Sequence, residues 1–115
     1  QLLAKRLWHL GYRYRKNDKK LPGSPDIAIC KYQVAVFVDG EFWHGKDWEL
    51  RKSRLKRNRE YWIEKIEENM ARDVRVDKEL IDLGWQPLHF WEKDVLKDTD
   101  ACVDSILSLL IEKYE

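Results

Sequence analysis

The chain has 115 residues, 43% hydrophobic and 37% charged, which is enough for one folded domain with a core. Its net charge is only +1, so the total charge indicates no partner, although basic residues gather in residues 1–20 and 51–59 and the segment from Glu92 is acidic. No apolar run approaches the roughly 18 residues of a membrane-spanning helix and there is no signal peptide, which argues against a membrane protein.

The cysteines and the first residue of the chain indicate the cellular compartment of the protein and the extent of the domain. Cys30 and Cys102 lie in apolar surroundings without metal-ligand spacing, which predicts core thiols in a reducing cytoplasm. The chain starts at Gln1 rather than Met, within a helical pattern. We therefore expect a single domain over residues 1–115 that lacks an upstream segment.

The predicted elements begin with a helix, because four leucines recur at helical spacing before Gly11: Leu2, Leu3, Leu7 and Leu10. Alternation over residues 12–15 predicts a half-exposed strand, followed by a polar loop over 16–23.

Two short apolar runs, residues 27–30 and 34–38, predict buried antiparallel strands joined by a tight turn. Asp26 precedes the first strand, while Asp39 and Glu41 follow the second, and neighbouring ends of such strands lie about 5 Å apart. Ionised carboxylates at that range repel each other, and oxygen ligands suit Mg²⁺. We therefore expect Asp26, Asp39 and Glu41 to converge on one or two Mg²⁺ ions, the alternative being a hairpin with solvated acidic tips.

Residues 40–56 show no periodicity and predict an irregular loop of a length that is usually functional. Residues 58–83 follow a helical pattern that Gly84 ends. Residues 85–91 predict a strand, which Pro87 places at a sheet edge or a bulge, and residues 99–114 predict a last amphipathic helix. This order predicts an α/β fold in which helices flank a mixed sheet of about four strands.

Some aromatic and histidine side chains fall within these periodic segments, which predicts core or structural positions for them. They are Trp8, Trp85, Trp91, His9 and His89.

Four segments occur in an order that resembles the very-short-patch repair (Vsr-type) DNA mismatch endonucleases. They are LPGSPDI (21–27), VFVDGEFWHG (36–45), NREYWIEKIEENMARD (58–73) and GWQPLHFWE (84–92). Pro25-Asp26 and the later acidic pair also resemble the PD-(D/E)xK nuclease signature, with Glu41 at the lysine position. The resemblance implies a restriction-endonuclease-like fold and Mg²⁺-dependent nicking of double-stranded DNA beside a T·G mismatch.

The resemblance also assigns roles by position. Asp26 matches the family's metal-binding aspartate, His44 its catalytic histidine, and Asp73 the acidic partner on the long helix. Histidine can exchange a proton near neutral pH, and Asp73 would either orient His44 or pair with an arginine. Three aromatic residues match those that wedge into DNA, with core packing as the alternative: Phe42, Trp43 and Trp62.

The chain departs from the family at several positions. Glu41, Lys46, Trp48 and Lys93 replace the Cys and His ligands of a structural zinc, so we expect no zinc. Asp39 replaces a family histidine and Val38 a threonine, which shifts the site towards an ordinary PD-(D/E)xE metal centre. Ala4 replaces a glutamate on the first helix, so the chain lacks one outer metal contact of the family.

Basic side chains complete the predicted DNA surface. Lys65 lies about one helical turn from Trp62, and Arg54, Lys56 and Arg57 lie beside the aromatic loop, where each could bind phosphate or be solvated. We favour a monomeric, Mg²⁺-dependent DNA endonuclease. The alternatives are a restriction or homing endonuclease with a Vsr-like catalytic domain, and a catalytically degenerate DNA-binding module.

Overall fold

A computed structural model of the protein describes residues 2–114, without the side chain of Tyr114; Gln1 and Glu115 lie outside the described residues. Helices and strands alternate along the chain as α1 (Leu2–His9), β1 (Arg15–Lys16), β2 (Ile27–Ile29), β3 (Val34–Asp39), α2 (Trp48–Arg54), α3 (Arg59–Asp82), β4 (Gln86–Trp91), α4 (Glu92–Lys97) and α5 (Thr99–Tyr114).

The strands form one mixed sheet in the order β1-β2-β3-β4. β1 and β3 each pair with β2 in antiparallel fashion, which confirms the predicted hairpin, whereas β4 runs parallel to β3. β4 is an edge strand, as Pro87 indicated, because proline cannot donate to a second neighbour. The sheet and its flanking helices confirm the predicted α/β fold of restriction-endonuclease-like type.

Alternation along β3 divides its side chains between two layers of helices. Val34 and Val36 join the larger core with buried residues of α1, α4 and α5, including Leu3, Val95 and Ile106. Ala35 and Phe37 face the other way and pack with Leu80 of α3. The same alternation continues to Asp39, which therefore reaches the α3 side of the sheet at the end of β3.

Several predicted boundaries need correction. β1 comprises only Arg15–Lys16, because Tyr12 and Tyr14 pack against the larger core and the Tyr14 hydroxyl donates to the Ala4 carbonyl at 2.7 Å. The region predicted as an irregular loop contains α2, and α4 was not predicted. Each of these short helices buries a single side chain, Trp48 or Val95, which leaves no periodic pattern to detect.

Two side chains predicted to be in the core are exposed instead. Trp8 is 52% exposed, and the Arg13 guanidinium lies 3.7 Å above its ring. Cys30 is exposed in the turn after β2, whereas Cys102 is buried as predicted. Within residues 2–114, no helix is both long enough and apolar enough to cross a membrane.

Candidate active site

An open cavity of about 450 Å³ lies where β3 ends, between the sheet and α3. Its titratable lining comes from five different segments: Asp26 before β2, Asp39 at the end of β3, His44 in the loop after β3, Asp73 on α3 and His89 on β4. The fold therefore brings four of the five predicted catalytic residues into one place.

Asp26 reaches the cavity because of the hairpin register. Ile27 pairs with Val36, so the preceding residue lies beside the last residues of β3. Its Oδ2 accepts a hydrogen bond from the Val38 backbone N–H at 2.7 Å. This bond anchors one oxygen of the Asp26 carboxylate and leaves Oδ1 without a hydrogen bond inside the described part of the chain.

Asp39 is only 9% exposed and lies between two histidines. Its Oδ2 accepts a hydrogen bond from His89 Nδ1 at 2.7 Å, whereas its Oδ1 lies 3.9 Å from His44 Nε2, beyond hydrogen-bonding distance. Asp39 thus also has one anchored oxygen and one oxygen open to the cavity.

His89 was predicted to be a structural residue, and the structure gives it polar partners on both ring nitrogens. Besides the bond to Asp39, its Nε2 donates to Asp77 Oδ1 on α3 at 2.6 Å, and its ring stacks on Phe37 with centroids 4.7 Å apart. Partial burial lowers the pKa of His89, but the hydrogen bonds to Asp39 and Asp77 outweigh it and raise the pKa to about 9. The imidazole is therefore charged at neutral pH.

His44 is oriented by α3. Its Nδ1 donates to Asp73 Oδ2 at 2.6 Å, since an ionised carboxylate can only accept, and this leaves Nε2 facing the cavity. Of the two partners considered for Asp73, the structure places His44 beside it.

The loop that carries His44 is packed tightly against α3. Asn69 Nδ2 donates to the Trp43 carbonyl at 3.1 Å. Gly45 has φ +74°, and a Cβ atom there would collide with Met70 Sδ and lie 2.8 Å from its Cγ. A side chain here would be strained at this φ and would displace Met70, so glycine lets the loop approach α3 closely enough for His44 to meet Asp73.

Five side chains consequently form an alternating acid–histidine series. It runs from Asp73 through His44, Asp39 and His89 to Asp77. The two ends lie four residues apart on α3, so one turn of a single helix holds both ends of the series.

Glu41 lies apart from this cavity, contrary to the expected convergence of three carboxylates. Its side chain is 7% exposed and accepts a hydrogen bond from the Lys93 backbone N–H at 2.8 Å, at the start of α4. That hydrogen bond holds the pKa of Glu41 below its usual value. Of the other positions compared with a zinc site, Lys46 lies 5.9 Å from the Trp91 ring centroid and Trp48 Nε1 donates to Glu67 at 2.9 Å.

The carboxylate oxygens at the cavity suit a hard cation that takes only some of its ligands from the protein. No group of three or more His, Cys, Asp or Glu side chains among residues 2–114 is arranged to hold a metal ion. Mg²⁺, however, commonly binds through one or two carboxylates and completes its shell with water and substrate phosphate. The open oxygens of Asp26 and Asp39 fit that mode of binding.

An exposed aromatic cluster lies on the loop after β3 and the first turn of α3. Phe42, Trp43 and Trp62 contact one another edge to face, with ring centroids 5.4 to 5.5 Å apart, and Tyr61 joins them at 5.0 Å from Trp62. Trp43 is 47% exposed. The sequence predicted three of these residues but missed Tyr61, whose position only the helix geometry reveals.

The predicted cationic side chains flank α3, three of them before its first residue and Lys65 within it. Arg54, Lys56 and Arg57 are exposed and make no ion pair within residues 2–114. Lys65 lines a shallow groove along α3 together with Arg72 and other residues. Arg72 also lines the cavity and has no ion-pair partner in the described part of the chain, and sequence reasoning missed it.

Comparison with known proteins places the chain among enzymes that act on DNA. A family model described as DNA mismatch endonuclease Vsr matches residues 1–50. The chain is 56% identical to the Type II nicking enzyme V.HpaIIP of Haemophilus parainfluenzae, over 97% of this chain and 79% of that protein. It is 53% identical to the Type II nicking enzyme V.NmeDIP of Neisseria meningitidis serogroup C, over 96% and 75%. It is 36% identical to the DNA mismatch endonuclease Vsr of Escherichia coli (strain K12), over 97% and 70%.

Proposed function

Since the chain belongs to the Vsr family of DNA mismatch endonucleases and is a DNA endonuclease, we propose that it nicks one strand of duplex DNA at T·G mismatches in a Mg²⁺-dependent reaction. Such a nick would start very-short-patch repair. The observation that carries the proposal is the cavity that unites Asp26, Asp39 and His44 directly beside an exposed aromatic cluster.

Asp26 and Asp39 would hold the metal through their open oxygens. When bound, Mg²⁺ supplies positive charge to the phosphate and lowers the pKa of water. Glu41, whose carboxylate binds the Lys93 N–H, is not part of this proposal.

Two further side chains at the cavity, His44 and Arg72, would transfer a proton and bind the phosphate. His44 has a free Nε2 at the cavity, because Asp73 occupies Nδ1, so Nε2 is the atom that exchanges a proton with the reacting oxygen. Arg72 lines the same cavity, has no ion-pair partner among residues 2–114, and would bind a non-bridging phosphate oxygen through its guanidinium.

The aromatic cluster supports recognition of a weakened base step. Phe42 and Trp43 follow β3 directly, so the strand that ends at Asp39 also projects two rings towards the same DNA. Inserting rings between bases costs the free energy of unstacking, which is smallest at a mismatch. Lys65 lines a groove that shares Arg72 with the cavity and would bind a flanking phosphate.

Residues of a single chain suffice to assemble the candidate site, and we propose that the enzyme acts as a monomer. A DNA substrate also fits the expected location in the cytoplasm. Sedimentation of the protein with a short mismatched duplex would test the stoichiometry, and a complex with two protein chains would contradict it.

The deciding experiment compares duplexes that differ in one base pair, T·G, T·A or C·G, with each strand labelled separately. We expect a single cut, in the thymine-containing strand, only with T·G and Mg²⁺, and none with EDTA. Cleavage of matched duplex at a fixed sequence would favour a restriction or homing endonuclease instead. Tight binding without any cleavage would favour a degenerate DNA-binding module.

Asp26→Asn tests the assigned site in the same assay. The amide retains an oxygen for the Val38 N–H but loses the negative charge, so we expect nicking to fall by about a hundredfold or more while the protein stays folded. Asp47→Asn is the matched control, since Asp47 is exposed and does not line the cavity. Nicking by Asp26→Asn at the wild-type rate would refute the assignment.

A further inference from the structure

We propose that His89 is a positioning residue for Asp39: it fixes which carboxylate oxygen faces the candidate active site. This inference rests on the proposed nuclease function, in which Asp39 is a metal ligand. None of the roles given above to the cavity residues involves His89. The sequence pattern alone indicates only that His89 lies in a strand.

The Asp39 side chain needs a partner to hold its carboxylate in one orientation. Asp39 ends β3, and rotation about its Cβ–Cγ bond would exchange the oxygen that faces the cavity. The 2.7 Å bond from His89 Nδ1 engages Oδ2, so Oδ1 alone remains for a ligand in the cavity.

His89 is itself held from three sides. It lies opposite Phe37 in the parallel pair of β3 and β4, and its ring stacks on Phe37 with an interplanar angle of 11°. Asp77 binds the second nitrogen from α3 at 2.6 Å. The sheet and α3 together therefore fix the imidazole, and the imidazole fixes Asp39.

The two histidines at the cavity differ in one decisive respect. Both nitrogens of His89 are occupied by carboxylates, so it has no atom with which to exchange a proton with substrate. His44 Nε2 makes no hydrogen bond within the described part of the chain. His89 acts through Asp39, whereas His44 can act on the substrate directly.

Two amide substitutions separate the two hydrogen bonds of His89. The Asn side chain places an N–H near the position of Nδ1 and can still bind Asp39, whereas the longer Gln side chain places it near Nε2 and can bind only Asp77. We expect His89→Asn to keep kcat within about threefold of wild type, and His89→Gln to lower kcat by about 10- to 100-fold, as loss of a ligand's orienting partner does. KM and Kd for DNA should not change in either variant.

A second readout does not depend on turnover. Binding of Mn²⁺ to the protein without DNA, followed by electron paramagnetic resonance, should weaken about tenfold in His89→Gln and stay near the wild-type value in His89→Asn. Asp77→Asn is a control that keeps an oxygen acceptor for His89 Nε2 and spares the bond to Asp39, so its kcat should remain close to wild type.

Thermal unfolding of every variant distinguishes positioning from stability. If His89→Asn and His89→Gln lose activity equally, or if activity follows the unfolding midpoint across the variants, the positioning role is wrong. A wild-type protein that neither nicks mismatched DNA nor binds Mn²⁺ contradicts the proposed function instead. Crystal structures of the two variants then still test the inference, which requires Asp39 to rotate in His89→Gln and to keep its orientation in His89→Asn.

Discussion

The ionisation of His89 links the candidate active site to the stability of the whole protein. Its pKa is about 9 in the folded state against 6.5 for an ordinary histidine, so the folded state binds this proton more tightly than the unfolded state. The corresponding stabilisation is fully present below pH 6.5 and is lost as the pH rises through 9. Because the ring is about one-third exposed, solvent screening reduces the contribution to about 1–2 kcal/mol.

We therefore predict that the free energy of unfolding in EDTA falls more steeply between about pH 7 and pH 10 for wild type than for His89→Gln. Urea denaturation at several pH values measures this, and subtracting the two curves removes the other groups that titrate at alkaline pH. Parallel curves would mean that the ion pairs of His89 do not stabilise the folded state.

Single residues of the site differ in how far the sequence could predict them. Asp26 and Asp39 could be placed together because strand ends meet in a hairpin, and that depends only on local pattern. His89 could not be placed, since its neighbour is set by the parallel register of β3 and β4, which pairs residues far apart in the sequence. Glu41 lies beyond the end of β3, where side chains no longer alternate between the two faces of the sheet. Its distance from Asp39 in the sequence therefore did not predict which way its side chain points.

At the scale of elements, the loop after β3 carries His44, which we expect to be catalytic, and Phe42 and Trp43, which we expect to contact DNA, and a binding assay tests the second role by itself. We predict that Trp43→Ala weakens binding to a T·G duplex about tenfold or more, since aromatic stacking contributes about 1–3 kcal/mol per base. Folding stability should change little, because Trp43 is 47% exposed without DNA.

Fluorescence anisotropy and thermal unfolding measure these two effects. Trp8→Ala is the matched control, since Trp8 is similarly exposed but lies outside the aromatic cluster. If Trp43→Ala destabilises the fold by several kcal/mol, as truncation of a core aromatic residue does, the ring belongs to the core and does not wedge into DNA.

The basic segment between α2 and α3 should govern the salt dependence of binding. Each phosphate contact contributes about −0.9 to the slope of log Kobs against log salt concentration. Replacing Arg54, Lys56 and Arg57 with alanine should flatten that slope by up to about three. Lys31→Ala, in the turn at the opposite end of β3, should leave it unchanged. An unaltered slope in the triple variant would show that this segment is merely solvated.

Elements with a long repeating pattern were predictable, and those stabilised by single contacts were not. The strands β2 and β3 and the helices α3 and α5 follow from periodicity alone. α2 instead depends on Trp48 reaching Glu67 on α3, and α4 on Glu41 accepting the N–H of Lys93. Such tertiary contacts are invisible to a pattern read along one segment.

Across the whole molecule, the shape follows from one long helix. The radius of gyration is 15.5 Å, against about 13 Å expected for a compact domain of this length. α3 has 24 residues, about 36 Å in length, and buries only Ile66 and Leu80 fully. Most of its surface is therefore available for loop contacts and for a substrate as extended as DNA.

We predict that this molecule needs no zinc to hold its parts together. Polar contacts occupy the four replaced positions: Glu41 binds the Lys93 N–H, Trp48 binds Glu67, and Lys46 lies over the ring of Trp91. EDTA should leave the unfolding temperature unchanged within about 1 °C, since losing a structural zinc would remove several kcal/mol. Stoichiometric zinc in elemental analysis of purified protein, resistant to mild chelation, would refute this.

The close packing of Gly45 against Met70 makes the attachment of the loop after β3 sensitive to oxidation of the Met70 sulfur. Met70 is the only methionine in the chain, and its thioether lies where a Gly45 side chain would be. Conversion to the sulfoxide adds a polar oxygen at a contact without spare room. Peroxide should therefore detach the loop that carries Trp43 and His44 from α3, so that damaged protein loses DNA nicking while most of its core remains folded.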